Sequence, residues 1–184
     1  MELYSDTYYI SRVKNGDTDC FACLIDKYSK QIFTLVYRIV GNHEDAEELA
    51  QDAFMAAFRN INKFEAKSAF STWLYSIAYN LAISATRKHR PPTMPIEECR
   101  VAEDSIDDIP IEESDNMFEL LEQAMTKLSA DESAIITLFY QEDKSLDEIT
   151  KIMNVSMSNA KVKLHRSRKH LMTIISKLQK ENYG

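Results

Sequence analysis

The chain has little of what bends, breaks or crosslinks a backbone: 184 residues hold three glycines, four prolines, three cysteines and one tryptophan. Such scarcity of glycine leaves no Gly-rich loop to cradle a phosphate, and neither a nucleophile elbow nor an H-E-x-x-H motif occurs. The four histidines, His43, His89, His165 and His170, have no spacing that suggests catalysis. Neither an enzyme nor a cofactor is expected. Cys20, Cys23 and Cys99 are too few and too unevenly placed for a disulfide framework. Cys20 and Cys23 stand three apart on a helical stretch, which suits a metal or redox pair. No second pair and no nearby histidine completes a ligand set, so buried, inert thiols are the plainer reading and no metal is expected. Long apolar runs are also missing: nothing approaches the roughly 18 residues of a membrane span, and the opening MELYSDTYYISRVKNGD lacks a signal-peptide core. A cytoplasmic protein is expected.

Proline is rare but concentrated. Pro91, Pro92 and Pro95 fall within five positions and Pro110 follows, in a stretch with no helical period. Acid concentrates there too: residues 91–130 carry 2 basic and 11 acidic side chains, and so hold the excess behind the net charge of -7. Residues 91–115 therefore read as an extended acidic tether. Everything before and after can be helical, and no alternating segment suggests a strand. The expected fold is all α, two small helical domains (residues 1–90 and 116–184) joined by a flexible linker.

Acid is in turn absent from residues 149–180, which carry eight Lys or Arg. The stretch SLDEITKIMNVSMSNAKVKLHRSRKHL, 145–171, reads as two helices joined by a short turn. Ser129 with Glu132 and Ser145 with Glu148 form S-x-x-E capping boxes that open two successive helices, the first running to about Tyr140. Ser156 caps the last helix, whose inward stripe is Ala160, Leu164, Ser167 and Leu171. Asn159, Lys161, Lys163, Arg166, Lys169 and His170 then face outward. A helix-turn-helix of this layout places its second helix in the major groove, with Arg, Lys and Asn on base edges and phosphates. The alternative is a solvated basic face.

Upstream, apolar residues from Phe21 to Ile39 recur at steps of three or four over residues 17–40, the mark of an amphipathic helix ended by Gly41. Asn42 caps the next helix, 44–59, which buries Ala46, Leu49, Ala50, Ala53, Phe54 and Ala57. Its other face shows Glu44, Glu47, Glu48, Gln51 and Asp52. Carboxylates in a first turn favourably oppose the helix dipole. Glu48, Gln51 and Asp52 lie further along, so a basic partner surface is the alternative. A third constellation, NKFEAKSAFSTWLYSIAYN at 62–80, interleaves aromatics with hydroxyls and amides and runs into the basic cluster Arg87, Lys88 and Arg90. Rings, polar edges and cations are what unstacked bases use. The structural alternative makes Trp73, Leu74 and Ile77 core, and Tyr75 and Tyr79 half-exposed packing.

In this order the three constellations resemble a bacterial RNA polymerase sigma factor of the extracytoplasmic-function group in the sigma-70 family. Residues 41–83 and 128–171 carry the resemblance. It implies a promoter-recognition subunit that binds core RNA polymerase, with region 2 over residues 1–90 and region 4 over 116–184. Region 2 would dock on the β' clamp through Glu48, Gln51 and Asp52. It would read minus-10 DNA through Lys63, Phe64, Lys67, Ser68, Phe70, Ser71, Tyr75, Tyr79 and Asn80, with Arg87 and Lys88 on the duplex backbone. Region 4 would sit on the β flap and read minus-35 DNA through Ser156, Ser158, Asn159, Lys161, Lys163, Arg166, Arg168 and Lys169. The resemblance also implies an anti-sigma factor, and a monomer when free is expected. The sequence departs from the family at Ala160, where a valine is common, and in the loop FEAKSAF, which lacks a glycine at Ala66 or Lys67. A free-standing helix-turn-helix repressor or activator is the rival reading.

Overall fold

The computed structural model describes residues 4–89 and 117–183; Arg90, Cys99 and the acidic tether lie outside them. The described residues form eight α-helices and no strand. Helix α1, Asp6–Lys14, opens the chain and is additional to the helices expected from the sequence. Ser5 caps it by accepting from the Tyr8 amide, and Tyr9, Ile10 and Val13 face the core. Asp6 ties α1 to α2, Phe21–Val40, by accepting from Lys27 Nζ and from the Tyr28 hydroxyl, each at 2.5 Å. Burial, then Asp6, pushes the Tyr28 phenol up to about 12.

Helix α2 ends where expected. Gly41 takes the left-handed conformation (φ +73°) and its N–H returns to the Tyr37 carbonyl. Asn42 then accepts from the Asp45 amide to start α3, His43–Arg59. Ala46, Ala53 and Ala57 are wholly buried on α3, where side chains this small let the backbone lie close to its neighbours. Leu49, expected inside, is only half-buried. Helix α4, Phe70–His89, closes the group, crossing both α2 and α3.

The C-terminal group begins with α5, Met117–Met125. Both capping boxes form as expected, starting α6, Ala130–Ile136, and α7, Leu146–Met153. The capping-box pattern predicts that the first of these runs as one α-helix to about Tyr140. Instead α6 widens into a π turn over Thr137–Gln141, where the Glu142 amide reaches back five residues to the Thr137 carbonyl at 3.0 Å. Asn154 takes the left-handed conformation (φ +53°) in the turn. Ser156 Oγ accepts from the Asn159 amide at 3.2 Å and opens α8, Met157–Tyr183. Ala160, Leu164, Ser167 and Leu171 are all buried, as the inward stripe requires.

The two groups pack on each other, α4 against α7 and α2 against α6, so that one hydrophobic core runs through both. Burying each large apolar side chain in it contributes about 1.5–3 kcal/mol against exposure. Polar links cross the same junction. Arg38 of α2 donates twice to Glu122 of α5, at 2.8 and 2.6 Å, and the buried Ser133 hydroxyl donates to the Arg38 carbonyl at 2.7 Å. The hydrogen bonds to Glu122 hold its carboxyl below the ordinary range.

Candidate nucleic-acid interface

The C-terminal helix supplies the first surface. With its inward stripe packed on the helix-turn-helix core, α8 turns Ser156, Ser158, Asn159, Lys161, Arg166 and Arg168 to solvent, while Lys163 and Lys169 are half-buried. Lys163 Nζ lies 2.8 Å from Asp131 Oδ2, and His170 Nδ1 lies 2.9 Å from Glu132 Oε1. These two pairs strap α8 across the start of α6. Arg168 stands over the ring of Tyr140, 5.9 Å from its centroid. The remaining cations follow the helix at a rise of about 1.5 Å per residue, a geometry able to track phosphates while the first turn meets base edges.

The second surface is the start of α4 and the loop before it. Lys14 Nζ donates to the Phe64 carbonyl at 2.6 Å and pins the loop, and Lys67 pairs with Glu65. Ala66 has φ +56°, a left-handed residue at the position where the resemblance led one to expect glycine. Lys63, Lys67, Asn80, Arg87 and Lys88 are exposed, and Ser68 and Ser71 half-buried. The aromatics are placed differently. Phe64, Phe70 and Trp73 pack ring against ring with centroids 5.1–5.9 Å apart, Phe64 and Phe70 being buried and Trp73 half-buried.

Tyr75 and Tyr79, which the structural alternative left half-exposed, are only 1% and 7% exposed. Their cover is the C-terminal group. The Tyr75 hydroxyl donates to Glu142 and the Tyr79 hydroxyl to Asp131 Oδ1 at 2.9 Å, while Lys144 Nζ sits 4.6 Å from the Tyr75 ring centroid. One turn earlier on α4, the Thr72 hydroxyl donates to Glu148 Oε1 at 3.3 Å. Burial raises both phenols well above their ordinary value, and the neighbouring carboxylates raise them further. Burial alone would raise the Asp131 carboxyl, but hydrogen bonds from Lys163 and Tyr79 outweigh it and the group lies below the ordinary range. None of these pairings has a local signal in the sequence, because the partners stand 52 to 76 residues apart.

The acidic face of α3 forms the third surface. Glu48, Gln51 and Asp52 are exposed. Asp45, Glu48 and Asp52 line one wall of a cavity of about 580 Å³, with Ile39, Val40, Leu81 and Lys88 on other sides and Leu128 and Ala130 completing it. Three carboxylates, one lysine and several apolar side chains thus share this cavity. Cys20 and Cys23 are half-buried and free. Burial raises the Cys20 thiol above its ordinary value, and its sulfur rests 3.4 Å from Asp17, surroundings that disfavour a reactive thiolate. Among the described residues no group of three or more His, Cys, Asp or Glu side chains is arranged to hold a metal, and no helix is long and apolar enough to cross a membrane.

Residues 24–91 match Sigma-70 region 2, and residues 118–171 match Sigma-70 region 4. The ECF RNA polymerase sigma factor SigW of Bacillus subtilis is 37% identical over 172 residues, covering 88% of this chain and 92% of that protein. The chain belongs to the extracytoplasmic-function sigma factors of the sigma-70 family. Another similar protein is the RNA polymerase sigma-H factor of Pseudomonas aeruginosa, 29% identical over 186 residues and covering 96% of each chain. The fold is likewise that of CnrH in its complex with the cytosolic domain of CnrY (TM-score 0.69, 17% identity, covering 94% of this chain and 97% of that one). It is shared by the sigma factor RpoE from Bartonella quintana in complex with the anti-sigma factor NepR (TM-score 0.64, 22% identity, covering 85% and 96%). As a sigma factor, the protein directs transcription initiation and belongs to a family of regulatory subunits rather than catalysts.

Proposed function

We propose that this sigma factor works through two promoter readers joined by the segment 91–115. Residues 1–90 dock on the β' clamp of core RNA polymerase through Glu48, Gln51 and Asp52. They hold unpaired minus-10 bases with Lys63, Phe64, Lys67, Ser68, Phe70, Ser71, Tyr75, Tyr79 and Asn80, while Arg87 and Lys88 meet the flanking backbone. Residues 116–184 sit on the β flap and read minus-35 DNA through Ser156, Ser158, Asn159, Lys161, Lys163, Arg166, Arg168 and Lys169. An anti-sigma factor that covers these surfaces is the expected regulator, and the free protein is a cytoplasmic monomer.

The observation that carries this reading is the helix-turn-helix itself. The Ser156 cap and the buried stripe of Ala160, Leu164, Ser167 and Leu171 hold α8 so that its first turn and most of its cations face outward, as this reading needs. Two readers held on one polymerase gain effective concentration, so neither needs high affinity alone. Base unstacking costs a few kcal/mol, which stacking on aromatic rings offsets.

The test is reconstitution: purified chain with core polymerase on a genomic promoter library, scored for run-off transcripts. Transcripts that appear only with both components, and that fall at least about tenfold when Glu48 and Asp52 are both changed to Lys, are the expected result. Tight duplex binding by the chain alone with no polymerase-dependent transcript would instead make it a free-standing repressor.

A further inference from the structure

Helix α8 keeps an apolar side chain at the crest of its polar face. The buried stripe Ala160, Leu164, Ser167 and Leu171 fixes which way the helix is turned. At about 100° per residue, Val162 stands two positions from both Ala160 and Leu164 and so points almost directly away from that stripe. It is 46% exposed, with Ser158 and Asn159 one turn before it and His165 and Arg166 one turn after, all of them exposed. The adjacent lysines leave it uncovered. Lys161 and Lys163 depart about 100° to either side, and Lys163 is drawn down to Asp131 at 2.8 Å. Neither the core nor the helix gains from a valine at this position. An exposed valine removes little apolar surface from water, and its branched β-carbon makes it a poorer helix former than alanine.

Thymine supplies what such a residue lacks. In the major groove the base edges present donors and acceptors, and the C5 methyl of thymine is the one apolar group among them. The branched β-carbon also confines Val162 to one dominant rotamer, so its two methyls are in place before contact and lose little freedom on binding. We propose that Val162 is a specificity residue of the upstream reader, packing its methyls on the C5 methyl of a thymine in the minus-35 element. The inference rests on the reading of α8 as the minus-35 reader. Asn159 and Arg166 stand about 4.5 Å and 6 Å along the helix axis on either side of Val162 and set the register of the contact. Their amide and guanidinium favour adenine and guanine. Val162 adds a requirement that no hydrogen bond expresses, because cytosine differs from thymine at the contacted position only by the missing methyl.

The test removes that methyl alone. Promoters transcribed by the full-length chain with core polymerase are selected from a genomic library. Each thymine on either strand of the minus-35 element is then replaced in turn by deoxyuridine, which lacks only the C5 methyl, and holoenzyme binding is measured by competition at fixed salt. With the wild-type chain, one replacement is expected to weaken binding about fourfold, the loss of one buried methyl group. Val162→Ala should weaken binding to the thymine promoter by at least as much, and should bind the thymine and deoxyuridine forms equally. Alanine is the better helix former at an exposed site, so the variant retains the fold. Selected minus-35 elements with no shared thymine, no methyl effect at any position, or a methyl effect that survives Val162→Ala would each overturn the proposal. Transcription separates the two ideas: no polymerase-dependent transcript sinks the sigma reading, whereas transcripts without a Val162-dependent methyl effect sink the thymine contact alone.

Discussion

The Tyr79–Asp131 hydrogen bond allows a prediction whose sign depends on background. Tyr79 is 7% exposed and its hydroxyl donates to Asp131 at 2.9 Å, whereas Asp131 retains a second partner in Lys163, whose side chain is 32% exposed. Tyr79→Phe in the wild type removes one hydrogen bond to a charged acceptor and leaves nothing buried unsatisfied, at a cost of about 1.5 kcal/mol. Asp131→Ala removes the same bond but strands the buried hydroxyl, adding about 1–3 kcal/mol. It also loses a carboxylate from the first turn of α6, about 0.3–1 kcal/mol more, and a half-exposed lysine pair of at most about 1 kcal/mol. The larger loss thus comes from the acid side. Tyr79→Phe made on top of Asp131→Ala removes the stranded hydroxyl and should restore about 1 kcal/mol. The assay is urea unfolding at pH 7 followed by circular dichroism. With a slope of about 2 kcal/mol per molar, Tyr79→Phe lowers the midpoint by roughly 0.7 M in the wild type and raises it by roughly 0.5 M in the Asp131→Ala background. Equal losses in both backgrounds would show that the hydroxyl is not held by Asp131, and the reasoning would be wrong.

Two further outcomes are expected. Stability should hold a plateau that narrows from both ends of the pH scale. Glu122, Asp131, Glu132 and Glu148 lie below their ordinary values in the folded chain, so their contribution is complete above about pH 4.5 and is lost as pH falls through the depressed values. Tyr28, Tyr75 and Tyr79 are raised, so their contribution is complete below about pH 10 and is lost above it. Urea midpoints measured across pH check both edges, and a profile that kept rising toward pH 3 would contradict the carboxylate pairings. Ala66→Gly should stabilise the loop before α4 by about 0.5 kcal/mol, because an alanine at φ +56° carries a steric cost of about 1 kcal/mol that the freedom of unfolded glycine only partly offsets. A thermal melt reads this directly, and a lower midpoint for the glycine variant would refute it.

What the sequence made legible was local. Gly41, Asn42 and the two capping boxes act within four residues, and the stripe Ala160, Leu164, Ser167 and Leu171 follows the helical period, so each could be placed without knowing the fold. Helix α1 was legible too, through Ser5 and the spacing of Tyr9, Ile10 and Val13. The outward cations of α8 and the exposed acids of α3 followed from the same periodicity. The burial of Tyr75 and Tyr79 did not, because it depends on which surface another group of helices presents. No property of YSIAY distinguishes a tyrosine awaiting a base from one already held by Asp131 or Glu142. Arg38 and Glu122 escaped for the same reason, being 84 residues apart.

The π turn at Thr137–Gln141 carries a consequence for how this chain tolerates change. A wider turn takes up one residue more than an α-helix does over the same advance, so it behaves as a stored insertion whose phase all later residues inherit. Leu138 is buried and Tyr140 exposed beneath Arg168 along this turn, and the Thr137 hydroxyl is left buried without a partner at the seam. Losing one residue there would restore a regular helix and, in the same stroke, rotate α7 and everything after it. Length at this point is a setting of angle, and the direction of α8 is counted out in residues well before that helix begins.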